Sequence, residues 1–150
     1  MKIFRSLLSL MLVLVATVLV SCGSPQASAP PTYTPEKLQK IETYRIPVDV
    51  ARDNMSRLKE LIREQDWVDT RSYIHGPLGF LRRDFRYLSD SLLPDDAKQA
   101  KEISEDLFLR LENIDAAAKE QDARTVATEF NKALSDFDEY LDLVPDTKAS

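Results

Sequence analysis

Between Val48 and Pro145 the apolar residues return at steps of three and four, with little to interrupt them. The sharpest run is Ile74, Leu78, Leu81, Phe85, Leu88 and Leu92. A helix repeats every 3.6 residues and a strand every two, so this spacing lays one apolar stripe along a helix and excludes a half-buried strand. The breakers Gly and Pro are absent from Val48 until Gly76 and scarce after it. No Asn-Gly or Asp-Gly hairpin signal occurs.

Four helical segments are expected. The first, about residues 48–65, presents Ala51, Met55, Leu58 and Ile62. Asp66 opens the second as a cap, and Asp69 adds negative charge at the positive end of its dipole. The second carries Trp67 and the run from Ile74 to Leu92. Pro94 marks the next break, and Asp95 or Asp96 opens the third, with Ala100, Ile103, Leu107, Leu111, Ile114 and Ala118 inward. Asp122 caps the fourth, with Val126, Phe130, Leu134, Phe137, Leu141 and Val144 inward, and Pro145 ends it. Four such helices with short links predict an all-α, up-down-up-down four-helix bundle over residues 48–145, with residues 146–150 as a C-terminal tail.

The N-terminus reads differently. Lys2 and Arg5 precede an apolar run from Leu7 to Val20, short for a membrane span and suited to an export signal. It ends in Leu19-Val20-Ser21-Cys22, which resembles the bacterial lipobox, where the Cys is acylated and the chain is cut before it. Residues 1–21 are therefore expected to be a removed signal peptide. Cys22, the sole Cys, is the expected lipid attachment point, which leaves no thiol for a disulfide. Acyl chains contribute about 0.8 kcal/mol per buried CH₂, so more than one anchors a chain stably without crossing the membrane. Residues 22–47 are expected to be a tether, because Gly23 to Pro35 is rich in Pro, Ser and Ala. Thr34-Pro35-Glu36 has the form of a helix start, yet Pro47 disfavours helical geometry at Ile46 and predicts that any helix there is short.

Lys2 and Arg5 are the only charges before Cys22, so losing the leader takes the net charge from −5 to −7. An acidic chain without large basic clusters argues against nucleic-acid binding. One domain is expected from the 129 residues of Cys22 to Ser150.

The stretch Trp67 to Asp84 holds the only Trp, the only His and, at Gly76-Pro77, two breakers. The stripe keeps its phase across them. Either one helix continues through a proline kink, at a local cost of about 3 kcal/mol, or the helix breaks at Gly76 and a long one starts at Pro77. The retained phase favours the kink. At about 100° per residue, His75, Gly79, Arg82 and Arg86 share one flanking stripe, and Tyr73, Phe80 and Tyr87 the other. Tyr and Arg are frequent interface anchors, so Arg82, Arg83, Arg86, Tyr73, Phe80 and Tyr87 are the candidate partner-docking residues. The bland alternative is that the aromatics cover core edges while the arginines lie alongside.

His75 lacks a nucleophile motif or an orienting neighbour in sequence, which argues against catalysis. It is a weak zinc candidate, needing Asp or Glu from another helix. There is no Gly-rich phosphate loop, no HExxH, no CxxCH and no Glu-x-x-His pair of the di-iron type. No cofactor is expected beyond the lipid on Cys22.

Several segments together are similar to the PsbQ family, the extrinsic lumenal subunit of photosystem II, in its cyanobacterial lipoprotein form. They are Leu19-Val20-Ser21-Cys22, Trp67-Val68-Asp69-Thr70, Tyr73 to Gly79, Leu81-Arg82-Arg83-Asp84, Leu92-Leu93-Pro94, Leu111-Glu112, Asp115 to Lys119 and Ala133 to Asp138. The resemblance implies a four-helix bundle and a non-enzymatic role. It implies a place on the lumenal side of the thylakoid membrane, with the photosystem II core and other extrinsic subunits as partners. It also implies support of the oxygen-evolving manganese–calcium cluster, including Ca²⁺ and Cl⁻ retention. Plant members are soluble with different N-termini, so their N-terminal binding details do not carry over. The competing reading is a lipid-anchored helical bundle that binds a metal or small ligand.

Overall fold

A computed structural model describes residues 31–146. The expected signal peptide, Cys22, residues 23–30 of the expected tether and residues 147–150 lie outside that range. Among the described residues there are five α-helices and no strand: α1 (Pro35–Glu64), α2 (Trp67–His75), α3 (Leu81–Ser89), α4 (Pro94–Lys119) and α5 (Ala123–Leu143). α1 packs against α2, α3 and α5, and α4 packs against α2, α3 and α5. No described helix is long and apolar enough to cross a membrane.

α1 corrects one expectation. It starts where the Thr34-Pro35 signal lies, with the Thr34 side chain accepting from the Lys37 amide, but it then runs 30 residues straight through Pro47. The expected tether therefore turns helical at Pro35. Pro47 removes one helical hydrogen bond, a local cost of about 3 kcal/mol. Ile41 and Val48, seven residues apart and both fully buried, dock α1 on either side of it. Burying two such side chains contributes about 1.5–3 kcal/mol each, which offsets the proline. Tyr33, inside the expected tether, is also held. Its hydroxyl meets the Asp96 carboxylate and accepts from the Leu93 amide at 3.2 Å. Partial burial, with the Asp96 bond adding to it, pushes the phenol up to about 12.

The links α1–α2 and α4–α5 use one device twice, in the repeated Glu-Gln-Asp of residues 64–66 and 120–122. Gln65 (φ 55°) and Gln121 (φ 57°) take the left-handed conformation that closes a helix. The Asp66 and Asp122 amides then bond back to the Leu61 and Ala117 carbonyls. Asp66 caps α2 through the Asp69 amide, and Asp122 caps α5 through the Arg124 and Thr125 amides. α4 starts one or two residues earlier than expected, at Pro94 itself, which fits the first turn because that N–H would lack a partner anyway.

The second expected helix does not continue through a proline kink: it breaks at Gly76, as the alternative had it, but the next helix starts at Leu81 rather than at Pro77 and is short. α2 ends at His75, residues 76–80 form turns, and α3 starts at Leu81. Short-range bonds stitch the break: Gly76 N to Ser72 O at 2.8 Å, Leu78 N to Tyr73 O at 3.2 Å and Gly79 N to Gly76 O at 3.0 Å. The apolar phase survives, since Ile74, Leu78, Leu81, Phe85, Leu88 and Leu92 are all buried.

Phe85 sits where α3, α4 and α5 meet, against the rings of Phe108, Phe137 and Tyr140. The buried Tyr140 hydroxyl donates to the Phe85 carbonyl at 3.1 Å and lies 2.9 Å from Ser89 Oγ. Burial pushes this phenol up to about 12.

A charged seam joins α4 to α5. The buried Glu129 carboxylate accepts from Lys132 at 2.7 Å, Asn113 at 3.2 Å and Arg110 at 3.4 Å. The Lys132 and Asn113 bonds hold its pKa below the usual carboxylate value. Nearby Asp136 is shifted up, chiefly by burial, despite Arg110 at 3.5 Å. The two act oppositely. Stability from Glu129 is present above its ordinary pKa and lost as pH falls through its folded value. The cost of charging Asp136 is relieved as pH falls through its raised value. Glu129→Gln should cost roughly 1–3 kcal/mol at pH 7 and make the acid limb of a stability-versus-pH curve shallower. Urea titrations between about pH 3 and 7 check this. An acid limb as steep as the wild type's would show that Glu129 does not contribute to it.

Candidate functional site: a basic groove on α3 and α4

α3 is short because a turn precedes it and the Ser89 to Leu93 link follows. Leu81, Phe85 and Leu88 face the core, so helical geometry turns Arg82, Arg83, Arg86 and Tyr87 outward. The three arginines line one groove of about 650 Å³ with α4, together with Lys101, Glu105 and Phe108. Arg82 crosses it. Its guanidinium lies 4.3 Å from the Phe108 ring centre, and Nη2 donates to Glu112 Oε1 at 3.0 Å. Arg83 pairs with neighbouring Asp84 at 2.9 Å and covers the Phe80 ring at 4.9 Å. Arg86 lies 5.4 Å from the Tyr87 ring and has no carboxylate partner among the described residues. Lys101 pairs with Asp90 at 2.7 Å.

The aromatic candidates do not form one free stripe. Phe80 is 64% exposed, whereas Tyr73 is half-buried against the core. Tyr87 leans on Tyr44 of α1, with ring centres 5.8 Å apart. Neither Tyr73 nor Tyr87 lines the arginine groove. Nothing in the sequence marks Lys101, Glu105, Phe108 or Glu112 as neighbours of the α3 arginines. Phe108 sits one position off the Leu107–Leu111 stripe, and its neighbours on α3 depend on how the two helices pack.

His75 has a structural partner. Its Nε2 lies 2.9 Å from Asp115 Oδ1, which also accepts from Arg71 Nε at 3.1 Å. These contacts strap α2 to α4. Among the described residues no group of three or more His, Cys, Asp or Glu could hold a metal ion.

The described surface thus presents guanidinium groups on helices, and a guanidinium fork can match a carboxylate in a two-point geometry. The described residues define an all-helical protein with a basic groove on its surface. The chain belongs to the PsbQ family. The family model described as "Oxygen evolving enhancer protein 3" matches residues 4–145. The chain is also 53% identical over 146 residues to "CyanoQ" from Synechocystis sp., covering 97% of this chain and 98% of that one. The family is a non-catalytic extrinsic subunit of photosystem II.

Proposed function

We propose that the chain is a lumenal, lipid-anchored subunit of photosystem II that docks through the basic groove on α3. Docked there, it stabilises the oxygen-evolving complex and slows loss of Ca²⁺ and Cl⁻. Its partners are the photosystem II core and the other extrinsic subunits. Family membership and the near full-length match to CyanoQ support the assembly. The Leu19-Val20-Ser21-Cys22 motif supports the anchor. An acyl mass on a peptide beginning at Cys22 checks it by mass spectrometry. With α1 starting at Pro35, 12 residues separate Cys22 from the first helix. A short link keeps a weak docker near its target by raising its effective concentration. The architecture proposed is the up-down-up-down four-helix bundle, with α2 and α3 together forming its second member. The packing of α1 on α2, α3 and α5 and of α4 on the same three helices supports it.

One observation carries the docking face. All 25 acidic residues but only 17 of the 20 basic ones lie in residues 31–146, so the described body has net charge −8. The groove lining reverses that sign locally, with Arg82, Arg83, Arg86 and Lys101 against Asp90 and Glu105. Replacing Arg82, Arg83 and Arg86 together with Glu should lower occupancy on purified photosystem II by about tenfold or more at moderate salt. The melting temperature should move by only a few degrees, because exposed ion pairs contribute about 0–1 kcal/mol each. Occupancy equal to wild type across several salt concentrations would rule out this face.

A further inference from the structure

A second hollow adjoins the arginine groove. It measures about 260 Å³ and shares Gly79, Arg82 and Phe108 with the larger one. Its floor is apolar, with Leu78, Phe108 and Leu111, and it sits where the chain breaks between α2 and α3. The Arg82–Glu112 pair stands on its rim, with side chains 62% and 67% exposed. An exposed pair of that kind contributes about 0–1 kcal/mol, so an arriving carboxylate can replace Glu112 on Arg82 at small cost. At 260 Å³ the hollow is smaller than the roughly 300–1,000 Å³ typical of small-molecule sites. It has room for one bulky side chain.

We propose that the two hollows form one composite site for an acidic segment of a protein partner. Carboxylates of that segment engage Arg86 first and then Arg82, and one apolar side chain flanked by them enters the notch over Leu78, Phe108 and Leu111. The proposal rests on the docking reading and names the partner chemistry of its groove. Charge favours the face: an acidic segment is repelled by the body at net −8 and meets in the larger hollow a lining of four cations against two carboxylates. Arg86 offers a guanidinium fork with no carboxylate to displace among the described residues. The apolar notch supplies what charge alone lacks, a desolvated anchor that fixes register. An anionic membrane surface fits less well. It calls for a protruding cluster of about four to eight Lys or Arg, and here the cations line a concavity.

The test places the photo-cross-linker p-benzoylphenylalanine at Glu105, in the groove, and separately at Lys59 on α1 as a control. Photosystem II carrying each variant is irradiated, and the joined peptides are identified by mass spectrometry. From Glu105, the adduct is expected on a photosystem II segment with at least two carboxylates flanking an apolar residue. Arg86→Glu is expected to lower that yield about tenfold, and Glu112→Gln, which frees Arg82, to raise it about two- to fivefold. An adduct on a lipid, or on a segment without carboxylates, overturns the proposal. So does no adduct from Glu105 on complexes that retain the chain, and in both cases the association with photosystem II itself still stands. Failure of the unsubstituted chain to copurify with photosystem II overturns both.

Discussion

Phe85→Ala is expected to cost about 3–5 kcal/mol and to lower the melting temperature by roughly 10–20 °C. The side chain is 1% exposed and joins three helices. Its ring meets Phe137 at 5.1 Å, Phe108 at 5.6 Å and Tyr140 at 4.1 Å between centres. Edge-on aromatic contacts add about 0.5–1.5 kcal/mol each beyond area burial. Truncation removes them together and leaves a hollow bounded by large rings that cannot all collapse into it. α3 makes the effect worse, because nine residues have few other inward side chains to hold it. Against a typical stability of about 5–15 kcal/mol, the loss is a large share. Thermal and urea unfolding followed by circular dichroism measure it. Phe85→Leu, which keeps much of the volume, should lose about 1–2 kcal/mol. A shift below about 3 °C for the alanine variant would show that the α3–α4–α5 junction is not the packing centre.

The apolar stripe that Phe85 belongs to was readable in sequence because burial follows the face on which a side chain lies. Every position from Ile74 to Leu92 on that stripe is buried. The same stripe weighed wrongly against the break at Gly76, because a turn that advances the chain by the right angle preserves phase without helical hydrogen bonds. Pro47 misled in the opposite sense. Its local preference is real, but Ile41 and Val48 lie beyond the reach of a local rule and outweigh it. Tyr140 was missing from the expected inward face because a phenol is costly to bury alone. Ser89 and the Phe85 carbonyl satisfy it, and both come from α3. The helix closures at Gln65 and Gln121 carry no glycine, the usual sign of a left-handed residue, so only the following Asp caps were legible. Of the groove, the α3 arginines could be placed by counting 100° per residue. Lys101, Glu105 and Phe108 could not, because the register between α3 and α4 is written in neither helix.

Gly79→Ala is the sharper probe of the groove itself. A Cβ built there would stand 2.4 Å from the His75 carbonyl oxygen and 3.1 Å from that of Gly76. Both are backbone atoms, so no side chain can swing aside and the turn itself must move. Forcing atoms into a packed site costs typically about 1–3 kcal/mol and sometimes more. The flanking helices are each only nine residues long and both pack on α1 and α4, so neither slides freely to absorb the strain. Gly79 also lines both hollows and precedes Arg82 by one helical turn. A shift of the turn therefore carries the Arg82 guanidinium away from its place over Phe108 and beside Glu112. Occupancy on photosystem II should fall by more than the lost stability accounts for, about tenfold at a temperature where the variant remains folded. Gly76→Ala supplies the comparison. Its nearest approach, to the Ser72 carbonyl, is 2.9 Å, and Gly76 lines neither hollow. It should lose some stability with little change in docking. Phe85→Ala should weaken docking only in proportion to the unfolded fraction. Gly79→Ala with wild-type melting and wild-type occupancy would mean that the turn relaxes at no cost. Lost stability with unchanged occupancy of the folded fraction would mean that docking does not read the geometry of Arg82.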